Sequence, residues 1–295
     1  HEIGHINQIR PGAKWHGMTE VTNNIYCLYV QDAFGMTTRL QKEVERPTKT
    51  YDDCWYERAM TEYFTRKLAH NENRINHCRL VPFWQLYLYC VKVKGNDDFY
   101  KDLYESVRMT PNPVTAGKCQ LEFVKKACAA AKMDLTPFFE KFGFLKPFRQ
   151  EVNDYGKRVF EVTAEDIEQT RKEIKAKKYP KLQLPFWYIT DNTVDLFKSP
   201  QPVKTGTAIC KGNTFTMKDW KGVAAYEVFQ KGKLVFVAPL QQFTVEGVIV
   251  DEKTKVYAIA ADGKKTEVDF QWTEDLEQQR KMKERVSKYG NMYNR

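Results

Sequence analysis

The apolar positions of the chain follow two regimes. Up to about residue 150 they recur at helical spacing. Over Met18–Phe34, Val21, Ile25, Leu28 and Tyr29 share one face, with Thr19 available as a cap and Gly35 as the stop. Further helices are predicted over His1–Ile9, closed by Pro11-Gly12, and over Asp52–His70, Leu80–Lys92, Asp97–Met109, Val114–Met133 and Leu135–Phe142. Pro147–Val162 reads as a transition segment. Thr163-Ala-Glu-Asp166 is a capping signature that opens a charged helix ending near Tyr179-Pro180. From Pro185 short runs of β-formers alternate with turns: Thr205–Ile209, Thr214–Met217, Val223–Phe229, Leu234–Ala238, Phe243–Val250, Lys255–Ala260 and Thr266–Phe270. Gln230-Lys-Gly-Lys233 and Asp262-Gly263 look like tight hairpin turns. A last charged helix is expected from Glu274 to about Tyr289. The fold class is therefore α+β. A mainly helical region over residues 1–195 precedes a small β-sandwich-like domain, with a C-terminal helix, over residues 196–295.

Composition narrows the classes without choosing among enzymes. The 295 residues can bury a sizeable core, and 42% hydrophobic against 29% charged excludes a disordered chain. The longest apolar run, Leu80–Val91, contains Pro82 and Gln85 and falls short of the ~20 residues that span a bilayer. The excess of 47 Lys+Arg over 38 Asp+Glu, a net charge of +9, comes with acids interleaved among the bases, as in Glu122 before Lys125-Lys126. That pattern describes solvated helix faces better than a phosphate-binding stripe, so no nucleic-acid partner is expected. Seven cysteines with no C-x-x-C spacing signal neither a zinc finger nor a disulfide scaffold, and most sit among apolar neighbours as small buried hydrophobes. A chain opening on His1 rather than Met is expected to be a piece of a longer product.

The chemistry concentrates at the start. Three of five histidines fall in the first 16 residues, two of them in His1-Glu2-Ile3-Gly4-His5. On a helix, residues four apart share a face ~6 Å apart along the axis, so both imidazoles can hold one tetrahedral zinc ion. The intervening Glu2 then reaches the water rather than the metal, as the general base of amide hydrolysis. A catalytic zinc needs a third ligand and an open position. No later histidine has the metzincin spacing. Glu20 is the better candidate, because a turn through Pro11-Gly12 and Gly17 can return it against the first helix and complete a His₂Glu set. A copper-binding histidine brace at His1 would need another histidine facing it from a β-sandwich, whereas His5 follows on a helix.

The wider context, His1-Glu-Ile-Gly-His5-Ile-Asn-Gln8 followed by Trp15-His-Gly-Met-Thr-Glu20-Val-Thr-Asn-Asn-Ile25, resembles the enhancin-like, mucin-degrading zinc metallopeptidases. These form a gluzincin branch with the pattern HExGHxxQ and then W-x-G-x-x-EVTNNI. Leu80–Leu86, Phe138–Phe144 and the tail around Val223–Val228 and Val256–Gly263 look like it as well. The resemblance implies a zincin-type catalytic region with His1, His5 and Glu20 as zinc ligands and Glu2 as general base. It implies an endopeptidase cleaving glycoprotein, often mucin-type, backbones, with glycans as possible contacts, secreted or displayed on a bacterial surface. The family's catalytic domain extends upstream of the zinc helix, and this chain starts on the motif. The alternative function is therefore a non-catalytic glycan- or protein-binding fragment of such an enzyme.

Around this core, Gln8, Asn7, Asn23 and Asn24 are each candidates for orienting a ligand, against plain surface or core amides. Trp15 reads as a packing anchor ahead of a sugar platform, and His16 as an exposed loop residue or a substrate contact. The oxyanion donor is open between His16, a tyrosine and a residue upstream. His70 and His77 are expected on the surface, and Phe83, Trp84, Tyr87 and Tyr89 in the core.

Overall fold

A computed structural model describes residues 1–42, 54–278, 280, 281 and 284. The helices are α1 (Glu2–Asn7), α2 (Thr19–Thr22), α3 (Asn24–Ala33), α4 (Arg39–Lys42), α5 (Trp55–Arg66), α6 (Asn76–Tyr87), α7 (Phe99–Arg108), α8 (Ala116–Ala131), α9 (Thr136–Lys141), α10 (Ala164–Ala176) and α11 (Val194–Lys198). Helix α6 continues as a π-helical stretch over Leu88–Val93. The start of the predicted Asp52–His70 helix and much of the predicted C-terminal helix lie outside the described residues.

An aromatic core joins these helices. Trp15 is 1% exposed, with its ring centroid 5.5 Å from Phe123 and 6.1 Å from Phe83, so it packs rather than offering a sugar platform. His70 and His77 correct the surface expectation. His70 is fully buried, stacked 3.9 Å from Phe144 and flanked by Tyr63 and Phe83, and His77 stacks on Trp55 at 4.7 Å. An imidazole is flat enough to fill an aromatic gap, which neither residue's polar sequence neighbours reveal. Six of the seven cysteines are buried and all are free thiols.

The segment read as a transition is a β-hairpin. Strand β1 (Phe148–Asn153) pairs antiparallel with β2 (Lys157–Val162), from Phe148 opposite Val162 to Asn153 opposite Lys157. Tyr155 (φ 54°) and Gly156 (φ 138°) turn the chain at its tip. Its base packs under α8, where Gly117 lies against Glu161 so closely that a Cβ would come within 1.6 Å of the Glu161 carbonyl oxygen. Thr163 caps α10 as predicted, its side chain accepting from the Asp166 N–H at 3.1 Å.

Beyond Val203 two four-stranded sheets face each other. One runs β10 (Gln271–Thr273), β3 (Thr207–Lys211), β4 (Thr214–Lys218), β7 (Gln242–Thr244), and the other β6 (Lys233–Ala238), β5 (Ala225–Gln230), β8 (Lys255–Ile259), β9 (Lys265–Glu267). Phe215, Tyr226, Phe236 and Phe243 pack between them. The expected α+β class with a β-sandwich-like tail is what the chain adopts. Two strands are shorter than predicted. Phe243–Val250 stops pairing after Thr244 because buried Asn213 takes over the loop, donating to the Val245 and Val248 carbonyls and accepting from the Val250 N–H. Of Thr266–Phe270 only Thr266 and Glu267 are strand, in β9, and β10 begins after Phe270 in the other sheet. The sandwich docks on the helices through an edge. Thr61 of α5 bonds both the N–H and the carbonyl of Val237 on β6, covering a strand that would otherwise be open. Among the described residues no helix is long and apolar enough to cross a membrane.

Candidate metal centre

Six residues make a marginal helix in isolation, so α1 depends on what it packs against. Gly4 sits on the backbone of Asn23, and Gln8 just past the helix end donates to the Met18 and Thr19 carbonyls and to Thr22 Oγ1. This contact lays α1 across the 18–23 segment. Glu20 lies at the start of α2 with non-helical backbone (φ −93°, ψ 16°) and turns its carboxylate toward α1.

The structure brings His1, His5 and Glu20 together. Glu20 Oε2 is 3.1 Å from His1 Nε2 and 3.4 Å from His5 Nε2, and one ligand atom from each residue lies within 4.8 Å of the others. Bonds of ~2.0–2.1 Å to a tetrahedral zinc ion set neighbouring ligand atoms ~3.3 Å apart, so two imidazoles and one carboxylate at these spacings fit that ion. The Glu2 carboxylate stands just outside, 3.9 Å from His1 Nε2 and largely open to solvent.

Three amides surround the imidazoles, and their own bonding dictates which way each points. The Gln8 amide nitrogen is taken by three acceptors, so its oxygen faces His5 Nδ1 at 3.2 Å. Asn24 Nδ2 donates to the Glu20 carbonyl and to Asn23 Oδ1, so its oxygen faces His1 Nδ1 at 3.1 Å. An amide oxygen can only accept. These two contacts favour a proton on each Nδ1, with the Nε2 lone pair on the Glu20 side, the tautomer a metal requires. Asn23 Nδ2 lies between the two rings, 3.1 Å from His1 Nδ1, 3.3 Å from His1 Nε2 and 3.1 Å from His5 Nε2. Asn7, by contrast, bonds the Ile3 carbonyl of its own helix.

The 16–20 loop is held from two sides. Buried Arg79 donates to the Gly17 carbonyl at 2.6 Å. From the hairpin tip, Asp154 Oδ2 accepts from Gly17 N–H (2.7 Å), Thr19 N–H (3.3 Å) and Thr19 Oγ1 (2.9 Å), so the Thr19 side chain serves the hairpin rather than capping its own helix. His16 Nε2 donates to the Val152 carbonyl at 2.8 Å, which occupies it as a hairpin fastener. Next to Asp154, the exposed Tyr155 hydroxyl donates to Glu20 Oε1 at 2.6 Å. The neighbouring carboxylate pushes that phenol above its ordinary pKa. Asp154, Tyr155 and Arg79 are absent from the sequence reading. Asn153-Asp-Tyr-Gly156 is a turn-forming string, but nothing local ties it to a site 135 residues earlier.

The family model for peptidase M60, enhancin and enhancin-like, matches residues 1–143. Among solved structures, a metallopeptidase from Bacteroides thetaiotaomicron is 23% identical with a TM-score of 0.68, covering 91% of this chain and 48% of its own. A metallopeptidase in complex with Tn antigen gives 23% and 0.66, covering 90% and 53%. The M60 catalytic domain from Clostridium perfringens ZmpC, in complex with the sialyl T antigen, gives 21% and 0.54, covering 91% and 49%. The chain thus spans about half the length of the structures it resembles. No curated protein matches it. The chain thus shares the fold of these structures along nine-tenths of its length, and its residues 1–143, which hold the whole His1–His5–Glu20 cluster, are similar to the peptidase M60 family of enhancin and enhancin-like proteins.

Proposed function

We propose that the chain is the zinc-binding part of an endopeptidase that hydrolyses glycoprotein backbones of the mucin type, working outside the bacterial cell where such substrates lie. The observation that carries this reading is the spacing of His1 Nε2, His5 Nε2 and Glu20 Oε2 beside an unencumbered Glu2. Zinc in that set would supply Lewis acidity, acidifying water and polarising the scissile carbonyl. His1, His5 and Glu20 hold the ion, with Gln8 and Asn24 fixing the imidazoles. Glu2 takes the proton from the attacking water and returns it to the departing amine. Glycans as substrate components are supported by two structural neighbours having been solved with the Tn and sialyl T antigens.

The test is zinc content and cleavage of an O-glycosylated mucin-type peptide, for the chain as given and for Glu2→Gln. Stoichiometric zinc in both, with cleavage lowered ~10²–10⁴-fold in the variant, is expected. Cleavage at the parental rate in Glu2→Gln would sink the reading. Glycopeptide binding without cleavage in either protein would favour the non-catalytic one.

A further inference from the structure

Helices α8 and α10 run side by side in the same direction. Lys118 near the start of α8 faces Asp166 near the start of α10, and further along Lys125 reaches Glu173. Past both ends the Asp134 N–H bonds the Pro180 carbonyl at 2.9 Å. The two C-termini therefore meet, and lysines gather there. Lys132 caps α8, Lys175 lies in the last turn of α10, Lys177 caps that helix, and Lys178 and Lys181 follow. All five are exposed, and among the described residues none makes an ion pair.

Two features set this end apart from an ordinary solvated helix terminus. The first is strain. Lys132 (φ 50°) and Lys178 (φ 54°) both sit in the left-handed region, where glycine commonly ends a helix and another residue costs ~1 kcal/mol or more. The second is charge. The C-terminal dipoles of two helices amount to about −1 together. Glu173 is engaged by Lys125 and Gln169, while Asp134, whose Oδ1 accepts the Thr136 N–H, adds one carboxylate. Against the dipoles and Asp134, five ammonium groups leave a surplus of about +3. Tyr179 packs on the core and Arg171 is paired with Glu140 and Glu168, so neither stacks a base or forks onto a phosphate. Ammonium groups on flexible stems suit carboxylates spaced along a flexible chain.

We propose that the joined C-terminal ends of α8 and α10 form an exosite for the sialic acid carboxylates of an O-glycosylated polypeptide, an inference that rests on the glycoprotein reading above. The patch lies at the far end of α10 from the β1–β2 hairpin, ~20 Å along this 13-residue helix. A long glycosylated chain held there is raised in local concentration around His1, His5 and Glu20, with no part in the bond-breaking step.

Lys132→Gly combined with Lys178→Gly removes two charges and relaxes both left-handed turns, so Tm is expected to hold. A control of equal charge, Lys198→Gln with Lys255→Gln, alters lysines paired with Asp195 and Glu267. Binding of the full chain to a sialylated mucin is measured at ~50 and ~200 mM salt, with Glu2→Gln in every protein so that the polymer stays intact. The glycine variant is expected to bind roughly tenfold more weakly at the lower salt, with a log–log salt slope shallower by ~1.4, and the control to match the parent. Sialidase treatment of the mucin should erase the difference between variant and parent. Equal binding of variant and parent, an equal loss in the control, or a difference that survives sialidase overturns the exosite. Tighter capture of single-stranded RNA than of the mucin does so too. Cleavage of a short neutral O-glycopeptide, with Glu2 restored, judges the peptidase reading separately. It should run at the parental rate in the glycine variant, and its absence from the parent would sink that reading while the mucin binding still decides the exosite.

Discussion

Gly4 meets Asn23 without room for a methyl group: a Cβ on Gly4 would lie 2.3 Å from the Asn23 carbonyl oxygen and 3.0 Å from its carbonyl carbon. The glycine between the two histidines is therefore the contact through which α1 seats itself on the segment bearing Glu20. Since the obstacle is backbone, it cannot yield by changing rotamer. Gly4→Ala should lift α1 and widen the His–Glu20 spacing. Because six residues contribute little to the core, zinc affinity is expected to fall roughly tenfold or more with little change in Tm, read by chelator competition and thermal melting.

The amides make a second prediction. Asn24 and Gln8 each hold one imidazole in its tautomer, so Asn24→Ala and Gln8→Ala should each lower zinc affinity ~10–100-fold. The ¹⁵N shifts of the metal-free imidazoles supply the signature, as Nδ1–H populations should become mixed at His1 in one variant and at His5 in the other. Parental shifts in both variants would remove the amides' role.

The contrast between these residues and the hairpin shows what a sequence can convey. His1 and His5 are legible because helical spacing fixes their relation within one turn and a half. Glu20 required only that a chain rich in turn residues at Pro11, Gly12 and Gly17 fold back once. Asn23 and Asn24 stood out as amides amid Val21, Ile25 and Leu28. The β1–β2 hairpin gave no comparable signal. Arg149, Gln150 and Glu151 are exposed in succession, so the strand lacks the alternation that marks a half-buried one. Its contribution to the site arises from tertiary closure across 135 residues, which no local pattern encodes. His70 was misplaced for a related reason: its aromatic partners Phe83 and Phe144 come from elsewhere in the chain.

His70 leads to a pH prediction. Burial, assisted by the Arg79 charge, holds its imidazole well below the ordinary histidine pKa. In the unfolded chain the ring takes up a proton below pH ~6.5, while the folded protein does not follow until lower pH. The unfolded state therefore binds more protons in this window, and stability falls as pH drops, by up to ~1.4 kcal/mol per pH unit. His70→Phe preserves the stack on Phe144 and removes the proton. Urea unfolding at pH 7.5, 6.5 and 5.5 should show a flatter decline in the variant. Parallel declines would mean His70 is not the group responsible.

Asp154 supplies the last prediction, because it is the hinge on which the hairpin's part in the site turns. Its carboxylate serves three donors of the 17–19 segment, and on the far side of Gly17 the Arg79 guanidinium holds the carbonyl. One residue, Gly17, is thus gripped by an anion at its N–H and a cation at its C=O. Hydrogen bonds to charged groups are worth ~1.5–3 kcal/mol each, so releasing the anion in Asp154→Ala should raise hydrogen exchange at the Gly17 and Thr19 amides by roughly 10–100-fold. Arg79 and the aromatic core remain, so exchange in α6 and α8 should stay at parental rates. Loosening confined to the loop would show that the hairpin tip holds Glu20 in register from outside the helical core. Gly17 and Thr19 amides that exchange as before would assign that task to Arg79 alone.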